Sequence, residues 1–323
     1  LPPPPNPTDP AAPVPTGFWR ATRRAWGFSV TAYQHNPKKF NLYMRHLRWA
    51  AAAAIRQAAA HDWFSLLETP AMRPFVAANP RLAFRPMGTY LSVRWDWSRR
   101  IKVIKETYEF IHAHRGGLRR AMLEPGGIEL ADLDLGKAGH CRVLLRPDAQ
   151  FRKEGEVGVF LELSSIPGTI TALAFSLEYL PETGWSCYLG SVQGRKGGDE
   201  PAIKAVTKAM HGFRPKMLMV FLAQEIARSL RMTRLLGTGN GIHTFRGRMG
   251  NPLVVARNIS FDYDALWTEA GGTAEADGWF QLPLKTHRRG LDEVKPNKRS
   301  MYVKRYAMMD ELARQIRTML GPG

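Results

Sequence analysis

The feature that most constrains the fold is a change of texture at Pro125-Gly126-Gly127. Beyond it, short alternating or apolar runs follow one another: His140–Leu145, Glu156–Leu163, Ile170–Tyr179 and Trp185–Val192. Turn-forming stretches such as Ser164-Ser165-Ile166-Pro167-Gly168 and Pro181-Glu182-Thr183-Gly184 separate them. Alternate side chains of a strand face opposite sides, and strands joined by tight turns pair with their neighbours, so this pattern predicts an antiparallel meander.

The last of these runs enters a basic, glycine-rich stretch, Gln193-Gly194-Arg195-Lys196-Gly197-Gly198. A short helix is expected over Pro201–Met210, with Asp199 as candidate N-cap. A second helix starts at Arg214-Pro215, where proline suits the first turn, and runs to Leu230. It is apolar on most sides and therefore reads as buried. A strand at Arg234–Gly237, a helix at Asp262–Glu269, a strand at Trp279–Leu284 and a C-terminal helix at Ser300–Leu320 complete the chain.

Upstream, residues 18–125 read as mainly helical. One helix is expected over Phe40–Leu67 and another over Ser98–Met122, where Ile101, Ile104, Lys105, Tyr108 and Ile111 recur at helical spacing and Ser98 is the candidate N-cap. Residues 1–17 are proline-rich and read as a disordered tail that could recruit a protein. The division expected is therefore a tail at 1–17, a helical region at 18–125 and an α/β domain at 126–323.

Charge bounds the partners. Lys and Arg number 46 against 28 Asp and Glu, a formal +18. Such a surface favours anionic partners: acyl carrier protein, tRNA or an anionic lipid surface. A generally arginine-rich surface without a dedicated partner is the plainer alternative. No apolar run approaches the roughly 18 residues that span a bilayer. Leu1–Pro15 has neither the basic nor the apolar region of a signal peptide. The two cysteines, Cys141 and Cys187, make no disulfide framework, and no cysteine–histidine spacing suggests a metal. A cytoplasmic protein, peripheral to the inner membrane if it meets lipid, is the expectation, with no metal cofactor.

Several segments carry a resemblance. They are Phe151-Arg152-Lys153-Glu154-Gly155-Glu156; Gly190-Ser191-Val192-Gln193-Gly194; the run Ile203–Lys216 with its string TKAMHGFRPK; Asn240 with His243; Asp262–Trp267; Leu282-Pro283; and Lys298-Arg299-Ser300 with Tyr302, Arg305 and Tyr306. In this order, over roughly residues 100–310, the chain resembles the VirK/YbjX family. Thr107 stands where the resemblance leads one to expect histidine. The resemblance implies a bacterial protein tied to virulence, envelope integrity and resistance to cationic antimicrobial peptides. It implies no reaction.

The order of meander, basic glycine-rich loop, helix and further strand is also similar to the GNAT-like acyltransferase fold. The fold class expected is thus α+β: a helical region followed by an acyltransferase-like, mixed, mostly antiparallel sheet with flanking helices. Backbone amides turned by glycines, added full charges and a helix start are how a pyrophosphate is held. The candidate cofactor-binding residues are Gln193, Gly194, Arg195, Gly197, Lys204, Lys208, Arg214 and Lys216. Lys204, Lys208 and His211 stand at i, i+4 and i+7, which helical spacing puts on one face, with Arg214 and Lys216 following. Asp199 and Glu200 count against a phosphate there. Candidate bases are His211 and His243, which titrate near neutrality, with Glu154 and Glu156 as orienting or catalytic carboxylates. Arg152, Asn240, Asp262, Asp264, Lys298, Arg299 and Arg305 are candidate substrate contacts.

Taken together these point to an acyl or aminoacyl transferase using CoA, an acyl carrier protein or aminoacyl-tRNA as donor. The alternatives are a non-catalytic module that grips RNA or anionic lipid headgroups in support of the envelope, and a chaperone-like adaptor for envelope proteins.

Overall fold

A computed structural model describes residues 17–33, 39–114, 116–147, 151–195, 200–246 and 261–321. Its centre is a long hairpin, β4 (Ile166–Leu180) and β5 (Gly184–Gly194). Before it come β1 (Ile128–Asp134), β2 (His140–Arg146) and β3 (Val157–Leu163), each antiparallel to the next. After it come β6 (Arg234–Thr238), β7 (Thr273–Ala274) and β8 (Trp279–Leu282). The described strands form one eight-stranded sheet in the order β1-β2-β3-β4-β5-β6-β8-β7. All neighbours are antiparallel except β5 and β6, which run parallel from Ser186↔Arg234 to Leu189↔Gly237. A parallel pair needs a crossover. Two helices supply it here, α7 (Glu200–Ala209) and α8 (Pro215–Ser229).

The predicted strands after Pro125 are all present, shifted by a few residues at their ends. The strands the periodicity missed are β1 and the two-residue β7; in β1 the apolar and acidic residues divide between two faces. Its acidic Glu129, Asp132 and Asp134 face outward or lie half-buried, while Ile128, Leu130 and Leu133 go into the core. Two predicted helices are broken. The expected Phe40–Leu67 helix is α2 (Lys39–Ile55) and α3 (Gln57–Leu67), interrupted at Arg56, whose backbone is non-helical at φ −122, ψ 51. The expected Ser98–Met122 helix is α5 (Trp97–Ala113) and α6 (Gly117–Leu123). The cap of α5 is Asp96, not Ser98: the Asp96 carboxylate accepts the Arg99 amide at 2.7 Å, which satisfies one of the helix's unpaired donors. The remaining helices are α1 (Phe18–Tyr33), α4 (Arg73–Ala78), α9 (Tyr263–Glu269) and α10 (Arg299–Leu320).

The helical region and the sheet share one hydrophobic core, which joins Trp63, Phe64 and Ile104 to Val159, Leu173 and Leu189. Within it α8 is buried along nearly its whole length, as its all-round apolarity predicted. Each fully buried Leu218, Phe221, Leu222 and Ile226 contributes about 1.5–3 kcal/mol.

α5 also completes the sheet's hydrogen bonding. β3 begins at Val157, opposite Phe175, so β4 beyond Phe175 has no partner on that side. Buried Thr107 takes the place of the missing strand: its hydroxyl accepts the Leu177 amide at 2.9 Å and shares its one proton between the Val103 carbonyl at 2.7 Å and the Leu177 carbonyl at 2.9 Å. Glu106 accepts the Tyr179 amide at 2.8 Å. Next along β4, fully buried Glu178 is held by Arg99 at 2.6 Å, Lys102 at 2.9 Å and the Tyr188 hydroxyl at 2.8 Å. Thr107 thus has a structural task in this chain.

Candidate functional site: a cleft at the start of α8 and a buried carboxylate behind it

Two features of β5 create the site. β5 pairs with β6 only as far as Leu189, then continues alone on that side to Gly194. It also carries a bulge, because Ala174 pairs with Ser191 while Phe175 pairs with Leu189, leaving Gly190 as the extra residue. A side chain at Gly190 would lie 1.8 Å from the Glu154 carbonyl oxygen, so only glycine lets the Glu154 turn sit on the bulge.

Where β5 ends, a cavity of about 340 Å³ opens. That is within the size of small-molecule sites. Its walls are Ile170 and Thr171 of β4, Gly194, Ile203 of α7, Arg214 to Met217 at the start of α8, and Phe261 with α9. Most of this lining is apolar. Its ionisable groups are Arg214, Lys216, Asp262 and Glu269; Lys216 is the one held against a ring. Its Nζ lies 3.1 Å from the centroid of the Phe261 ring, and burial lowers its pKa to about 8. Among the described residues no carboxylate pairs with it. Arg214, on the rim, pairs with Glu269. Both partners are exposed, so this pair is worth at most about 1 kcal/mol, and an incoming anion readily displaces it.

Behind the cleft lies a line of stacked rings. Phe261 meets Tyr263 edge-on with centroids 5.1 Å apart, and Tyr263 stacks on His243 at 4.9 Å with planes 15° apart. His243 Nε2 in turn stands 3.6 Å from Glu154 Oε1, and both side chains are buried. The Phe245 amide donates to His243 Nδ1 at 3.3 Å, which leaves the imidazole proton on Nε2, facing the carboxylate. The Gln193 amide donates to Glu154 Oε2 at 2.7 Å. Glu154 Oε1, His243 Nε2 and Thr244 Oγ1 have no hydrogen-bond partner among the described residues. Burial raises the Glu154 pKa to about 7, against the opposing pull of Gln193, Ser191 and Lys153. Burial lowers that of His243 to about 4, with the Gly190 backbone opposing. Burial thus favours the neutral form of both groups.

The remaining predicted residues are dispersed. His211 is not on the helix: α7 ends at Ala209, and His211 adopts φ +51 in the turn before Gly212. The Gly212 amide closes back on the Thr207 carbonyl at 2.8 Å, a helix-ending pattern. The expected face of Lys204, Lys208 and His211 therefore does not form. Lys204 pairs with Glu200 at 3.2 Å, and Lys208 is exposed. Arg195 donates to the Pro167 carbonyl at 2.7 Å. Gly197 lies outside the described residues.

Glu156 turns to a separate buried network, accepting the Tyr108 hydroxyl at 2.8 Å with Arg85 at 3.7 Å. Arg305 donates twice to the His211 carbonyl, at 2.9 and 3.0 Å, and Arg299 donates to the Val294 carbonyl at 3.1 Å. Arg152 and Lys298 are exposed. Asn240, Asp262 and Asp264 do come together, but to hold one another. The Asn240 amide side chain donates to Asp262 at 2.7 Å, its backbone N–H donates to Asp264 at 2.7 Å, and its oxygen accepts the Tyr263 amide at 2.9 Å. This clasp fixes the start of α9 and hence the pose of Tyr263.

Reasoning from the sequence overlooked three contributors. Tyr263 and Phe261 carry no titratable signal near neutrality, though Tyr263 sits within the Asp262–Trp267 string. Leu91 adopts φ +55, its amide bonds the Lys153 carbonyl at 2.7 Å, and the next residue bridges to His243. Nothing local marks it, because a non-glycine residue enters that conformation only when tertiary contacts impose it.

Residues 38–318 match the family described as "Protein of unknown function (DUF535)". The chain is similar to "Uncharacterized protein YbjX" of Escherichia coli (strain K12), 27% identical over 264 residues, which covers 80% of this chain and 78% of that protein. Two proteins of Haemophilus influenzae are 36% and 33% identical over 124 and 132 residues, covering 40% and 43% of their own lengths. No solved structure matches. With the family match covering most of its length, the chain belongs to the DUF535, or VirK/YbjX, family.

Proposed function

We propose that the protein is an acyl or aminoacyl transferase of GNAT-like architecture, acting in the cytoplasm on a phosphorylated or acidic donor. The observation that carries this reading is the position of the cleft. It opens at the carboxyl end of the one parallel strand pair, at the start of the crossover helix, which is where open sheets with crossover helices bind phosphorylated ligands. The strand order supports the same reading, with a meander, a helical crossover to a parallel strand, and a final strand inserted next to it.

A thioester or ester donor would supply an activated carbonyl. Lys216 and Arg214 would neutralise its phosphates, and Ile170, Ile203, Met217 and Phe261 would take its apolar arm. The nucleophile's proton would leave with the donor's thiolate or alkoxide, since Glu154 is buried out of hydrogen-bond reach of the cleft. His243 and Tyr263, between it and the cleft, would exclude water and fix its orientation.

The test is thermal-shift and calorimetric titration of the protein with CoA, acyl-CoA and acyl-loaded carrier protein, beside the Lys216→Met variant. The expected result is stabilisation of the wild type by at least one acyl donor, lost in the variant. No stabilisation by any of them, with aminoacyl-tRNA also without effect, overturns the proposal.

A further inference from the structure

The α1–α2 hairpin is built unlike the rest of the surface. Residues 18–56 contain eight Lys and Arg and no Asp or Glu. The inward faces of both helices are small: Ala21, Ala25 and Ser29 on α1, Ala50 and Ala53 on α2. The outward face of α2 is apolar, with Met44, Leu47, Ala51 and Ile55 at successive turns, and Tyr43 beside them against Trp26 of α1. Among the described residues, six of the eight exposed large apolar side chains lie on these two helices: Trp19, Val30, Tyr43, Met44, Leu47 and Ile55. Trp19 and Ile55 are 79% and 78% exposed. Scattered exposed apolar residues are ordinary. A stripe along one helix, flanked by exposed Arg20, Arg23, Arg48 and Arg56, is not.

We infer that this hairpin docks the protein on an anionic lipid bilayer. Charge complementarity chooses the occupant. A surface that bears only positive charge among aromatic and aliphatic side chains matches negatively charged headgroups over an acyl interior. No described helix is long and apolar enough to cross a membrane, so the contact is peripheral. The inference rests on the exposed helix faces alone and is independent of the transferase reading.

The experiment is co-sedimentation of the full chain with phosphatidylcholine vesicles, with and without phosphatidylglycerol, at low and high salt. The wild type is compared with Leu47→Asp/Ile55→Asp and Arg20→Glu/Arg23→Glu. All four positions are exposed, and circular dichroism with thermal unfolding checks that the variants fold. The expected result is binding to the phosphatidylglycerol vesicles only, weakened by salt. Each double substitution should reduce it by about tenfold or more. Lipids brominated on their acyl chains should quench fluorescence in the wild type more than in Trp19→Phe. Equal binding to neutral vesicles, or unchanged binding of the Leu47→Asp/Ile55→Asp variant, overturns the inference. So does absence of vesicle binding together with a dimer that this variant dissolves, since the stripe then belongs to a second copy.

Discussion

Glu154 and His243 are displaced in opposite directions by the same burial, so their effects on stability should cancel in the wild type and separate in variants. Folding raises the Glu154 pKa from 4.5 to about 7. The native state then binds more protons than the unfolded chain between those values, and stability falls as pH rises through that window. Folding lowers the His243 pKa from 6.5 to about 4. Between those values the unfolded chain binds more protons, and stability rises with pH. At about 1.4 kcal/mol per pH unit, each group alone tilts stability by about 3 kcal/mol across its window. Where the windows overlap, the two slopes oppose each other.

In Glu154→Gln, therefore, the histidine slope should appear uncovered, with urea midpoints climbing from acid pH to a plateau above pH 6.5. In His243→Gln, the carboxylate slope should appear, with midpoints falling from acid pH toward about pH 7. The wild type should be flatter than either. The assay is urea unfolding followed by fluorescence across this range, with the m-value checked for constancy. A Glu154→Gln profile as flat as the wild type's, or one that falls, refutes the assignment of the two groups as an oppositely displaced pair.

Three further outcomes follow from the contacts. Replacing Glu178 by Ala removes the partner of partly exposed Arg99 and Lys102 and the acceptor of the Tyr188 hydroxyl, and should cost about 1–3 kcal/mol in urea unfolding. Arg305→Ala removes both donors to the His211 carbonyl and should cost about 1–2 kcal/mol, measured by thermal unfolding, with the α7–α8 turn losing amide-exchange protection first. Because burial holds the Lys216 pKa at about 8, inorganic phosphate or CoA binding at the cleft should weaken as pH rises above that value. Calorimetry should find that slope absent in Lys216→Met.

The meander and both crossover helices were legible because their signals are local. Strand alternation and turn residues recur in Ile170–Tyr179 and Trp185–Val192, and Pro215 marks a helix start whatever surrounds it. β1 was not legible, since the bulge between Glu129 and Ala131 spaces its acids at 129, 132 and 134 and breaks the strict alternation. Of the candidate site, Glu154, His243, Gly194, Arg214 and Lys216 were named from the sequence and are brought to the cleft or behind it. The proposed helix face of Lys204, Lys208 and His211 was lost to a two-residue question: whether the helix runs past Ala209. Arg305 decides that from α10, far along the chain, by holding the His211 carbonyl.

By its own pattern the sequence determined the family, the order of strands and helices from His140 onward apart from the short β7, the basic surface and the residues of the clasp at Asn240. These depend on neighbours a few positions apart or on composition. Only the tertiary structure decided that Glu154 and Glu156, two residues apart, enter different networks, that Leu91 seals one of them, and that Tyr263 stands between His243 and the cleft. Those outcomes turn on the Gly190 bulge and the early end of β6. Both arise from contacts between segments distant in the chain, to which local propensity is blind.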